Sequence, residues 1–118
     1  MKYNNLKNTN LNLSLIGLGT ELFSRPNVKY SQKDVNELLM IAENHGINHI
    51  DTAAGYGDHL SEALIGNSSI DRSKWYIATK FGHKYQNDKT IEAFDLKSVQ
   101  NHLNKSLKAL NADYIDVY

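Results

Sequence analysis

The chain has 118 residues, 41% hydrophobic and 22% charged, the balance of a soluble globular protein with room for one domain and a core. Its 13 Lys plus Arg match its 13 Asp plus Glu, so no basic face for nucleic acid is implied. It has no cysteine, which excludes disulfides and zinc–thiolate sites, and no apolar run approaches the roughly 20 residues of a membrane-spanning helix. The opening "MKYNNLKNTN" lacks an apolar signal region, so a cytoplasmic protein is expected.

In chain order, Asn8, Thr9 and Asn10 are turn formers between two short runs, which predicts a hairpin within Tyr3 to Leu13. Leu13 to Leu18 is nearly continuous and apolar, the pattern of a strand buried on both faces. "ELFSRPNVKY" is a polar connection holding Pro26. Ser31 with Asp34 three residues on resembles a helix start, and Val35, Leu38, Leu39 and Ala42 repeat at helical spacing up to Gly46. A second strand is predicted at Ile47 to Asp51. A short helix follows over Leu60 to Ile65, capped near Asp58 or Ser61 and ended by Gly66. Trp75 to Lys80 is a third strand, followed by a polar loop. Asp95 then caps a helix whose Leu96, Val99, Leu103, Leu107 and Leu110 form one stripe, read as core. "ADYIDVY" is a fourth strand.

Strands alternating with helices argue for parallel βα units, in an open doubly wound sheet or in part of a barrel. The run Gly17-Leu18-Gly19-Thr20-Glu21-Leu22 lacks the third glycine of a dinucleotide-binding turn, and no Gly-Lys-Ser/Thr phosphate loop occurs. Thr20, Asp51 and Lys80 each fall at the C-terminal end of a different predicted strand, with Tyr56 in the loop after the second. In a (β/α)8 barrel these positions converge on the rim where chemistry is built. Solvated strand-end groups are the plainer alternative.

Three of these residue types, Asp51, Lys80 and Tyr56, suit one another. An ammonium near a phenol favours the phenolate, and a carboxylate beside the lysine keeps it charged. Asp51, Lys80 and Tyr56 would then make a tuned proton donor for carbonyl reduction. The hydride must come from a cofactor, because no side chain supplies one. His45 and His49 are separated by the helix-ending Gly46, which argues against a metal pair, while His59 and His83 fall in rim loops.

Several stretches together resemble the aldo-keto reductase family. These are Gly46-Ile-Asn-His-Ile50-Asp51-Thr52-Ala53-Ala-Gly-Tyr56-Gly57, Ser61-Glu62, Ile65-Gly66 and Ile77-Ala78-Thr79-Lys80-Phe81-Gly82. The first strand "IGLGT" and the closing "DYIDVY" match in order and spacing, and "LKNTNLNLSLIGLGT" resembles the bacterial-type members. The resemblance implies the N-terminal part of a (β/α)8 TIM barrel: a hairpin, about four parallel strands and three helices over residues 1–118. It implies an NADPH-preferring oxidoreductase acting on a small aldehyde, ketone or alcohol. Tyr56 would be the general acid, Lys80 its modifier and Asp51 the partner of Lys80; Thr20 and Asp51 match positions near the nicotinamide.

The family's fourth catalytic residue, a histidine, would follow shortly after Tyr118. A complete barrel takes about 250 residues. The 118-residue chain alone is therefore expected to be inactive, and marginal in stability or self-associating through uncovered edges. A non-catalytic scaffold, or a truncated gene product derived from a reductase, is the alternative.

Overall fold

The computed structural model describes residues 1–86 and 89–118. Strands β1 (Tyr3–Asn5) and β2 (Asn12–Ser14) pair antiparallel as the expected hairpin, with Tyr3 opposite Ser14. Its turn places Asn8 at φ +63°, and Thr9 Oγ1 donates to Leu6 O at 2.8 Å. Two groups hold the hairpin to the body. Tyr3 Oη donates to Gly46 O at 2.9 Å, and the Asn48 side chain donates to Asn12 O and accepts from Ser14 N.

The strand expected over Leu13 to Leu18 is not continuous. β2 ends at Ser14, whose hydroxyl donates to Ile16 O and turns the chain. Leu15 and Ile16 stand 56% and 59% exposed, and the parallel strand β3 is only Leu18–Gly19. A nearly continuous apolar run therefore marked a corner rather than a doubly buried strand.

A 3₁₀ turn over Glu21–Ser24 buries Phe23. Helix α1 (Gln32–Asn44) starts with the capping box read from Ser31 and Asp34. It buries Val35, Leu39 and Ala42 and ends before Gly46, which sits at φ +78°. β4 (His49–Asp51) pairs parallel with β3 and with β5 (Tyr76–Ala78), so the sheet order is β3-β4-β5. Both strands are shorter than their apolar runs. The last stretch joins β5 at one bridge, Ala78 to Val117, supported by Thr79 N donating to Val117 O at 3.0 Å. Arg72 holds this stretch through Asp116 at 2.7 Å and lies over the Tyr114 ring.

Helix α2 (Leu60–Gly66) is not capped by Asp58 or Ser61. His59 is its N-cap, and Ser61 lies inside the helix, fully buried. The polar loop expected after Lys80 is an antiparallel hairpin, β6 (Gly82–Gln86) with β7 (Lys89–Ala93). Helix α3 (Leu96–Ala109) is capped by Asp95, which accepts from Ser98 N. Of the expected stripe only Leu110 is fully buried in the core. Leu96 is 74% exposed and Val99, Leu103 and Leu107 are half-buried; His102, Ser106 and Leu110 point inward at four-residue spacing. His102 is buried with Nδ1 unpartnered, and its pKa is held below the usual histidine range by burial, then by His59 and Lys105.

The core joins Phe23, Val35, Leu39, Ala42, Ile50, Ile65, Trp75, Ile77 and Leu110 between α1, α2, α3 and the sheet. Gly66 matters here for closeness rather than for turning. A Cβ on it would stand 2.2 Å from Ala109 O and 2.6 Å from the Leu110 carbonyl carbon. Alanine gains roughly 0.5–1 kcal/mol in helix propensity over glycine. The backbone clash outweighs that gain, and Gly66→Ala should lower stability by about 1–3 kcal/mol net. Urea unfolding would show this as a lower midpoint at unchanged slope. An unchanged midpoint would mean that α3 shifts without loss.

Among the described residues, no helix is long and apolar enough to cross a membrane.

Candidate active site

β4 and β5 run side by side, so their C-terminal ends deliver Asp51 and Lys80 to one point. The Lys80 ammonium pairs with Asp51 Oδ1 and donates to Thr52 O at 2.9 Å. Backbone bonds continue the pairing beyond the strands: Thr52 N donates to Ala78 O at 2.9 Å, and Ala54 N to Lys80 O at 3.2 Å. Those two bonds fix where the following loop begins. The loop turns at Tyr56, whose N–H donates to Ala53 O, and brings its ring to 5.4 Å from Lys80 Nζ. Three of the residues read from sequence thus meet.

Asp51 and Lys80 are about half exposed, so their ion pair contributes about 1 kcal/mol or less to stability. Its effect is directional: the ammonium is tethered on two sides and has a third donor left for a ligand.

Thr20 lies beside the same strand end but faces inward. It is fully buried, and Oγ1 donates to Asp51 O at 3.1 Å. Ser61 Oγ lies 2.9 Å from Thr20 Oγ1 and in turn accepts from Thr52 Oγ1 at 3.2 Å. A chain of three hydroxyls therefore runs Thr52, Ser61, Thr20 and ends on the Asp51 carbonyl. Through it the first turn of α2 is fixed against two strand ends.

The loop after Tyr56 is unusual. Gly57, Asp58 and His59 follow one another at φ +67°, +50° and +69°. Left-handed backbone costs roughly 1–2 kcal/mol per residue outside glycine, least for Asp and Asn. His59 Nδ1 bonds Glu62 Oε2 at 2.5 Å, and Thr79 Oγ1 donates to Glu62 Oε1 at 2.5 Å. Glu62 is fully buried. The sequence offers Ser61 as a candidate cap and Ser61, Glu62 and Thr79 as parts of motifs, with no site role for any of them. An acid on a short helix reads as solvated, and only the strand-end threonine hints otherwise.

A pocket of about 390 Å³ opens over the ion pair, lined by Ala53, Gly55, Tyr56, Lys80, Phe81 and His83. His83 thus belongs to the site rim, as its loop position suggested. Phe81 packs on Tyr118 and Phe94, with centroids 5.2 and 6.3 Å away, and His83 lies 5.8 Å from Phe94. Phe81 and Phe94, which flank hairpin β6–β7, and Tyr118 therefore back this side of the pocket with aromatic rings. A second pocket, about 460 Å³, lies across Tyr56 against Glu21, Ser24 and Arg25. His45 and His49 take other parts. His45 bonds Ile41 O at the end of α1, and the His49 ring fills the space where a Gly17 side chain would stand.

A sequence model described as the aldo/keto reductase family matches residues 15–118. Protein tas of Escherichia coli is 36% identical over an alignment covering 100% of this chain and 37% of its own length. L-galactose dehydrogenase of Arabidopsis thaliana is 31% identical, covering 95% of this chain and 35% of its own. A solved protein from Pseudomonas aeruginosa, assigned to the same family, superposes with a TM-score of 0.87 at 32% identity. That match covers 96% of this chain and 43% of the other. The holo form of an aldo-keto reductase from Bacillus halodurans, at 24% identity, shares the fold with a TM-score of 0.85. The chain spans about 37% of the length of its bacterial curated relatives.

Proposed function

The chain belongs to the aldo/keto reductase family, and from that premise we propose that it carries the proton-transfer part of an NADPH-dependent oxidoreductase interconverting a small carbonyl compound and its alcohol. The observation that supports this most is the tethered Lys80 ammonium between the Asp51 carboxylate and the Tyr56 ring. In this reading Tyr56 gives its phenolic proton to the substrate oxygen. Lys80 stabilises the negative charge left on the phenol. Asp51 and Thr52 O aim Lys80, and the buried Thr20 hydroxyl holds the strand end that carries Asp51.

The donor set fits a nicotinamide. Asp51 is half exposed, and its Oδ2 accepts no hydrogen bond among the described residues, leaving a carboxylate oxygen beside the pocket for a ribose hydroxyl or carboxamide. NADPH, when bound, supplies the hydride that no side chain can. Thr20 contributes there only by holding the strand end that carries Asp51, since it is fully buried and its hydroxyl and backbone groups are committed. Phe81, Phe94 and Tyr118 favour a substrate with an apolar body. The exposed Leu15, Ile16, Phe94 and Leu96 support self-association, and a cytoplasmic location completes the reading.

The test is NADPH consumption with a panel of aldehydes, using the protein at its natural length and a Lys80→Met variant. The variant should lose about 10²-fold in kcat, the lower end for a proton-transfer partner. Equal turnover by the variant would remove Lys80 from the mechanism.

A further inference from the structure

We propose that Glu62 is a positioning residue that clamps the Tyr56 loop to the Lys80 strand. The proposal rests on the reading of Tyr56 and Lys80 as proton donor and modifier. Glu62 is fully buried on α2, and no lysine or arginine among the described residues pairs with it. Burying a carboxylate is costly unless its lone pairs are filled. Both oxygens are filled, each by a different segment. Oε2 meets His59 Nδ1 at 2.5 Å, and Oε1 accepts from Thr79 Oγ1 at 2.5 Å.

The two partners sit where leverage is greatest. His59 ends the left-handed run that begins directly after Tyr56, and Thr79 directly precedes Lys80. One side chain therefore spans from the segment carrying the phenol to the segment carrying the ammonium, where Thr79 lies 17 residues beyond Glu62. An ordinary helix-start glutamate would accept a backbone N–H of its own cap. Glu62 instead accepts from two side chains. The contact to His59 also offsets the cost of a non-glycine residue at φ +69°. The buried His102 ring, 6.2 Å edge-on from His59, packs the clamp from α3.

The experiment compares Thr79→Val, Glu62→Ala and Glu62→Gln in the protein at its natural length. Steady-state kinetics is read together with hydrogen–deuterium exchange at residues 59–61 and 79. Thr79→Val removes only the hydroxyl, so it decides the matter if Glu62→Ala fails to fold. Glutamine keeps both contacts, its amide oxygen accepting from Thr79 and its amide N–H₂ donating to the other tautomer of His59. Thr79→Val and Glu62→Ala should lower kcat by about 10–100-fold, the scale of a displacement near 1 Å, with KM for NADPH and carbonyl nearly unchanged. Exchange should rise at residues 59–61 and 79, whose amides donate to Ala54 O, Gly57 O, Tyr56 O and Val117 O, but not at Ile50. Glu62→Gln should restore most of both. Parental kcat in a folded Thr79→Val variant overturns the proposal, as does an equal loss in Glu62→Gln. If Tyr56→Phe proves fully active, the proton-donor reading fails by itself. Exchange then judges the clamp alone, and parental exchange in Thr79→Val overturns it.

Discussion

In the protein at its natural length, replacing Tyr56 with phenylalanine should lower carbonyl reduction by about 10²–10⁴-fold in kcat, the usual yield of a positioned proton donor. NADPH affinity should stay close to that of the parent. The variant keeps the ring and every backbone bond that shapes the loop, including Tyr56 N to Ala53 O and Ser61 N to Tyr56 O. Lys80 also keeps its contacts to Asp51 and Thr52 O. Only the exchangeable proton is removed, so the loss should appear in kcat rather than in folding or cofactor binding. Stopped-flow reduction and fluorescence titration with NADPH separate the two. A phenylalanine variant with parental kcat would show that the proton comes from elsewhere, with His83 the next group on the pocket wall.

The second large effect concerns stability. Trp75→Ala should cost about 3–5 kcal/mol, the range for emptying an aromatic core position. That is a large share of a typical domain's total of 5–15 kcal/mol. Trp75 is 2% exposed and sits in the cluster that joins α1 and α2 to the sheet. Trp75→Phe should cost far less. The indole Nε1 is buried without a partner, so phenylalanine removes an unsatisfied donor along with part of the ring. Urea unfolding followed by circular dichroism measures both variants. Equal losses would mean that the indole N–H has a partner in solution.

The sequence showed the parts that rest on local chemistry. Ser31 and Asp34 form the capping box, Asp95 caps α3, and Asn8 turns the hairpin as read. Asp51, Lys80 and Tyr56 converge because strand order and register follow from consecutive βα units. What stayed hidden depends on tertiary placement. The stripe on α3 holds at Leu110 but is rotated elsewhere, because the helix turns His102 and Ser106 inward and leaves Leu96 exposed. Leu15 and Ile16 are as apolar as a strand but stand at a corner made by the Ser14 hydroxyl. Hairpin β6–β7 has little apolar alternation, so periodicity could not detect it. The Glu62 contacts escaped for the opposite reason. Its charge suggested solvent, and only the fold brings Thr79 and His59 to it.

The sheet order β3-β4-β5, with Val117 added beyond β5, is also the order of the chain. Each strand docks onto one that has already left the ribosome, so the sheet can grow in step with translation. At 5–20 residues per second, roughly, each βα unit takes seconds to emerge. The newest strand always presents the bare edge, and the two-residue β3 waits unpaired until β4 appears. A translational pause placed between α2 and β5 would thus leave β4 open on one side, and that interval is when a nascent-chain binder or a protease would find it.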